Sequence, residues 1–139
     1  MKQIKISPDL KQRVNHISIG TLQCNINVHD SSRELINEMQ REAEEIKEKV
    51  KLEDIARIPE IQATREAYKA LGKKPARYRV SSEALHRRII QGKGLYFINN
   101  AVDITNLISI RSGFGICLYD VEAIDGDITV RIAGEGETY

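Results

Sequence analysis

The sequence predicts an α+β domain, a mixed sheet with helices packed on it, in the order ββααααββ. Three observations predict it. Apolar residues recur at helical spacing through the middle of the chain, β-branched residues alternate near both ends, and Gly, Pro and Ser/Asn punctuate the boundaries. The chain has 139 residues, 41% of them hydrophobic and 29% charged. That is enough for one core without disulfide or metal staples, so residues 1–139 read as a single domain.

Lys2–Ile6 alternates Lys and Ile and reads as a short strand closed by Ser7-Pro8. Ile17–Val28 is rich in β-branched residues and reads as a longer second strand, with Cys24 inside it as a small core residue. Ser31 followed by Glu34 has the form of a capping box. Leu35, Met39, Ala43, Ile46 and Val50 then make one apolar stripe, widened by Ile36. This predicts an amphipathic helix packed on a sheet, or a helix that binds a partner. Pro59 suits a first helical turn, and that helix runs through Ile61, Tyr68 and Leu71 to a left-handed stop at Gly72. A basic loop follows, then a helix capped by Ser81 or Ser82 and ending near Gly92. Asn99 or Asn100 caps a more apolar helix over Ala101–Arg111, ended by Ser112-Gly113. Ile116–Tyr119 and Ile128–Ile132 read as strands separated by a turn at Asp125-Gly126-Asp127.

Composition removes several function classes. No apolar run approaches the ~20 residues of a membrane helix, and the N-terminus lacks the pattern of a secretory signal. Two distant cysteines exclude a disulfide scaffold and a cysteine zinc knuckle, and they fit a reducing cytoplasm. His16, His29 and His86 are scattered without metal-ligand spacing, so no metal and no cofactor is expected. Without Trp, and with 5% aromatics, a stacking platform for single strands has little to work with. The net charge of +1 hides an uneven distribution. Residues 34–56 sum to −4, residues 57–93 to +7 and residues 117–139 to −5. The basic middle could meet a phosphate backbone, or it could be a set of solvated helix faces.

From Ser82 onward the chain becomes specific. SSEALHRRI is followed by GLYFINNAVDITNLISIRSGFGICLYD and then DGDITVRIAGEGE. This resembles the tRNA-binding and editing module, the B-three/B-four domain, of the bacterial phenylalanyl-tRNA synthetase β subunit. The most distinctive string is Asn99, Asn100, Val102, Asp103, Thr105 and Asn106. The preceding PEIQATREAYKALGKKPARYR resembles the lead-in of small stand-alone proteins that carry this domain, so the likeness is strong over 59–139 and weak over 1–58. Cys117 stands where that family's editing histidine belongs, in Gly113-Phe114-Gly115-Ile116-Cys117-Leu118-Tyr119-Asp120. The family's domain also continues beyond the Gly136-Glu137 match, so the resemblance implies a C-terminally truncated sheet. An unpaired sheet edge favours self-association, a homo-oligomer.

The resemblance implies a cytoplasmic RNA-binding protein of translation whose partner is tRNA or aminoacyl-tRNA. As an enzyme it would be a deacylase of misacylated tRNA, not a complete ligase, because the ATP-binding core has no counterpart in this length. The pocket candidates are Asn100, Asp103, Asn106 and Cys117. The polar helix residues equally read as braces for neighbouring loops, and Cys117 as a buried thiol, a pocket-lining residue or a nucleophile. The RNA-binding candidates are Lys73, Lys74, Arg77, Arg79, Arg87, Arg88 and Lys93, which would contact phosphates without reading bases. A non-catalytic amino-acid or small-molecule binding domain, or a protein-interaction module, is the alternative.

Overall fold

A computed structural model of the chain describes residues 2–137. In chain order its elements are β1 (Ile4–Ile6), α1 (Pro8–Arg13), α2 (Arg33–Lys49), a 3-10 turn (Ile55–Arg57), α3 (Pro59–Ala70), α4 (Ser81–Ile90), α5 (Asn100–Ser112) and β2 (Ile128–Val130). The four long helices are those the apolar spacing predicts. Met39 and Ile46 of α2 meet Ile89 of α4 and Leu107 and Ile110 of α5, with Leu35, Ala43, Val50 and Leu85 around them. Helices α2, α4 and α5 therefore share one core, since each has an apolar stripe to remove from water. Ile55 and Ile61 are fully buried beside it, where the 3-10 turn packs on α3 and α4.

The ends of the helices follow local chemistry. Ser32 caps α2 by accepting from the Leu35 amide at 3.3 Å. Ser31, the expected cap, instead donates to Asp103, so the capping box does not form as predicted. Asn99 caps α5, accepting from the Val102 amide at 3.0 Å. Val80 occupies the cap position of α4 and offers no side-chain bond, so neither Ser81 nor Ser82 is the cap. Ser7-Pro8, expected to close a strand, opens α1 with proline in its first turn, where a missing N–H costs nothing.

The sheet is smaller than predicted. It has two strands, with β1 parallel to β2 in the register Ile4↔Ile128, Lys5↔Thr129 and Ile6↔Val130. A mixed sheet is thus corrected to a parallel pair. Ile17–Val28 and Ile116–Tyr119 are not strands, because neither forms a backbone ladder with another segment among the described residues. Cys24 and Cys117, expected in the core, are both exposed for the same reason: the stretches that carry them lie on the surface.

Two glycines set the path after α5. Gly113 has φ 75° and ends the helix, and a Cβ there would stand 3.0 Å from Glu60 Oε2. A Cβ on Gly115 would collide with Val80 Cγ2. The chain therefore lies against the start of α4, where the Ile116 amide donates to Ser81 Oγ at 3.3 Å.

Candidate nucleic-acid interface

The seven cationic candidates divide into two groups. Glu83 lies in the first turn of α4 with its side chain fully buried, on the face shared with Ser82, His86 and Ile89. A lone carboxylate there would be severely penalised, and arginines gather around it. Arg65 of α3 places Nη1 2.9 Å from both Glu83 oxygens. Arg87 donates from Nε to Oε1 at 2.9 Å, and Arg79 lies 3.9 Å away with its side chain 45% exposed. Arg87, predicted to face phosphates, is thus a partner of Glu83. Sequence reasoning missed Glu83 and Arg65 as members of one cluster. The signal for part of it was present, because Arg79, Glu83 and Arg87 are spaced four apart, which puts side chains on one helix face. Nothing local pointed to Arg65, which comes from another helix.

The other group stands in the loop between α3 and α4 and at the C-terminal end of α4. Lys73 Nζ lies 5.5 Å from the Tyr78 ring centroid and the Arg77 guanidinium 5.6 Å from it. Among the described residues Lys73, Lys74, Arg77 and Lys93 form no ion pair. Tyr78 is exposed. In the last turn of α4, Arg88 stacks over exposed Tyr96 at 3.7 Å and donates from Nη2 to the Lys93 carbonyl at 3.1 Å. Its Nε is buried and has no hydrogen-bond partner among the described residues. Sparse as aromatics are in this chain, two of them carry cations at the surface.

The pocket candidates sit elsewhere. Asn100 is a clasp: it accepts from the His29 and Ala101 amides at 3.1 and 2.9 Å, and donates to the Asn27 carbonyl at 2.9 Å. Asp103 is fully buried and accepts from Ser31 Oγ at 2.5 Å and from the Ile98 amide at 3.0 Å. Both side chains tie α5 to neighbouring extended chain. Thr105 Oγ1 donates to the Val102 carbonyl at 2.7 Å, and Asn106 is half-buried on the next turn. Cys117 follows the Gly115 approach to α4, on a different segment from the one Asn100 and Asp103 hold. The surface carries shallow depressions elsewhere. One of about 710 Å³ runs along Glu34, Asn37, Arg41 and Glu45 of α2, and one of about 490 Å³ lies beside β1. Neither is lined by the four pocket candidates. Among the described residues no group of acidic, His and Cys side chains could hold a metal ion, and no helix is long and apolar enough to cross a membrane.

Known proteins resemble part of the chain. The phenylalanine–tRNA ligase beta subunit of Aquifex aeolicus is 43% identical over 44 residues, which is 32% of this chain and 6% of that subunit. The phenylalanine–tRNA ligase beta subunit of Chromobacterium violaceum is 44% identical over 52 residues, 37% of this chain and 7% of that subunit. The chain therefore spans less than a tenth of the length of these curated relatives. No solved structure matches it significantly. A family model described as the B3/4 domain matches residues 63–139, more than half of the chain, and the chain belongs to that family.

Proposed function

We propose that this B3/4 chain is a tRNA-binding module whose phosphate contacts come from the α3–α4 loop. The observation that carries this reading is the cationic loop, in which Lys73 and Arg77 flank exposed Tyr78 and, among the described residues, neither they nor Lys74 pair with a carboxylate. Cations held free of acids can replace the counterions of a phosphate backbone, and an exposed ring between them offers a face to a base. Arg88 on Tyr96, with the Lys93 carbonyl holding the guanidinium, repeats the pairing at the far end of α4. The likeness to ligase beta subunits supplies the class of RNA.

The test is filter binding of tRNA at two salt concentrations. Affinity that falls steeply with salt is expected, with a slope of about −0.7 to −0.9 per phosphate contact. Absent or salt-insensitive binding ends the reading. Hydrolysis of a misacylated tRNA ester belongs to the same proposal, as a water reaction rather than a covalent one. Cys117 is exposed, and among the described residues no imidazole is bonded to it to make it a nucleophile. A deacylation assay with mischarged tRNA decides between a hydrolase and a binding module.

A further inference from the structure

The stretch from Ile17 to Val28 contains no charged residue and no proline. All of it from Ser18 onward is exposed, Leu22 to 89%. Among the described residues the backbone of 18–26 makes no hydrogen bond to any other backbone. It is nevertheless fixed at its two ends and at Gln23, whose Oε1 accepts from the Lys2 amide at 3.3 Å. The Ile17 amide donates to the Val14 carbonyl at 3.1 Å, and Asn100 clasps Asn27 and His29. The stretch is a taut segment with strand-forming sequence and unpaired amides.

From Thr21 to Val28 polar and apolar residues alternate strictly, with Leu22, Cys24, Ile26 and Val28 on one side and Thr21, Gln23, Asn25 and Asn27 on the other. We infer that this segment pairs antiparallel with the same segment of a second copy of the chain, about a twofold axis at Cys24. In that register Leu22 stands opposite the partner's Ile26 and Gly20 opposite the partner's Val28. Gln23 meets the partner's Asn25, Thr21 the partner's Asn27, and Cys24 the partner's Cys24. Every apolar residue then meets an apolar or small one, and every amide or hydroxyl another polar side chain.

A second copy is the occupant because the strip is neutral. Strand edges that must stay unpaired carry lysine, proline or a bulge, and this one has no lysine or proline. With no charge along it, a twofold axis brings no like charges together, the usual penalty of homotypic pairing. Nine residues of strand reach only about 30 Å. Alone they bury less than the 1,200–2,000 Å² of stable interfaces, roughly, so the dimer is weak and concentration-dependent. The inference is independent of the RNA reading, since it uses none of the cationic residues.

The experiment is sedimentation velocity from micromolar to millimolar protein. The expected result is a monomer–dimer equilibrium that Leu22→Lys or Ile26→Glu each weakens about five- to tenfold. The two together restore it, because each introduced lysine faces an introduced glutamate of the other copy. These positions are exposed, so the variants remain folded, which circular dichroism checks. A second reading uses diamide, which takes two electrons and two protons from a pair of thiols to become the hydrazine. Directly opposed strand residues stand about 4.5–5.5 Å apart at Cα, within disulfide reach. Oxidation is expected to give a covalent dimer that survives Cys117→Ser and disappears with Cys24→Ser. A protein monomeric at every concentration overturns the inference and leaves the strip to a different partner. A dimer that ignores both charges, or that cross-links without Cys24, also overturns it.

Discussion

Lys73, Lys74 and Arg77 carry the same charge as Arg79 and Arg87 and stand close to them in sequence, yet the two sets have different work. Lys73 and Arg77 lie against an exposed tyrosine, and among the described residues none of the three loop cations pairs with a carboxylate. Arg65 and Arg87, with Arg79 at longer range, surround a carboxylate from which water has been removed. Burial makes the difference. An acid that loses its water must gain cations, whereas cations that keep their water stay available to an outside anion. A count of basic residues therefore overstates the cationic surface open to an outside anion.

The strongest way to break the comparison is Glu83→Gln. If Glu83 holds α3 and α4 together, removing its charge leaves arginines without their partner and costs about 3–5 kcal/mol, read from urea midpoints. A loss below about 1 kcal/mol would place the arginines at the surface after all. Next, replacing Lys73, Lys74 and Arg77 together with Ala is expected to reduce the salt slope of tRNA binding by about 2–3 with no change in urea midpoint. Equal loss of stability would show that the loop is as structural as the Glu83 cluster. Arg79 sharpens the boundary, because it is the loosest and most exposed of the three arginines. Arg79→Ala should cost no more than about 0.5 kcal/mol of stability.

The smallest effect is at the C-terminal end of the described chain. Arg131 donates to both oxygens of Glu137, which also accepts from the Gly134 amide, and these bonds hold the Glu137 carboxyl down to about 2. A carboxyl lowered on folding stabilises above its unfolded value of 4.5, and the contribution is lost as pH falls toward 2. The prediction is that hydrogen exchange around Gly134 rises across that window while the α2–α4–α5 core keeps its protection. Protection around Gly134 that is constant with pH would remove the pair from the account.

The helices were legible because each carries its instructions locally. The stripe from Leu35 to Val50, Pro59, the Asn99 cap and the glycines at 72, 92 and 113, all with positive φ, act within a few residues of themselves. The strands were less legible because strand formation needs a partner. Lys2–Ile6 found one in Ile128–Val130, far along the chain, while Ile17–Val28, with stronger β character, did not. The same reasoning misplaced Cys24 and Cys117, whose apolar neighbours suggested a core that the fold builds elsewhere. Capping was half-legible. Choosing Ser32 over Ser31 depended on Asp103, which takes the Ser31 hydroxyl from across the fold. As for the interface, the seven cations were visible as a group, but Glu83, which divides them, was not.

By itself the sequence determined four helices, their glycine stops, and a basic region between acidic ones, because helical hydrogen bonds close between near neighbours. Tertiary structure alone decided which arginines are spent on Glu83, which polar residues brace the 27–31 segment, and which β-branched run is paired. Each of those outcomes depends on a group brought in from a distant part of the chain. Desolvation and strand pairing take their sign from that partner rather than from the residue's own neighbours.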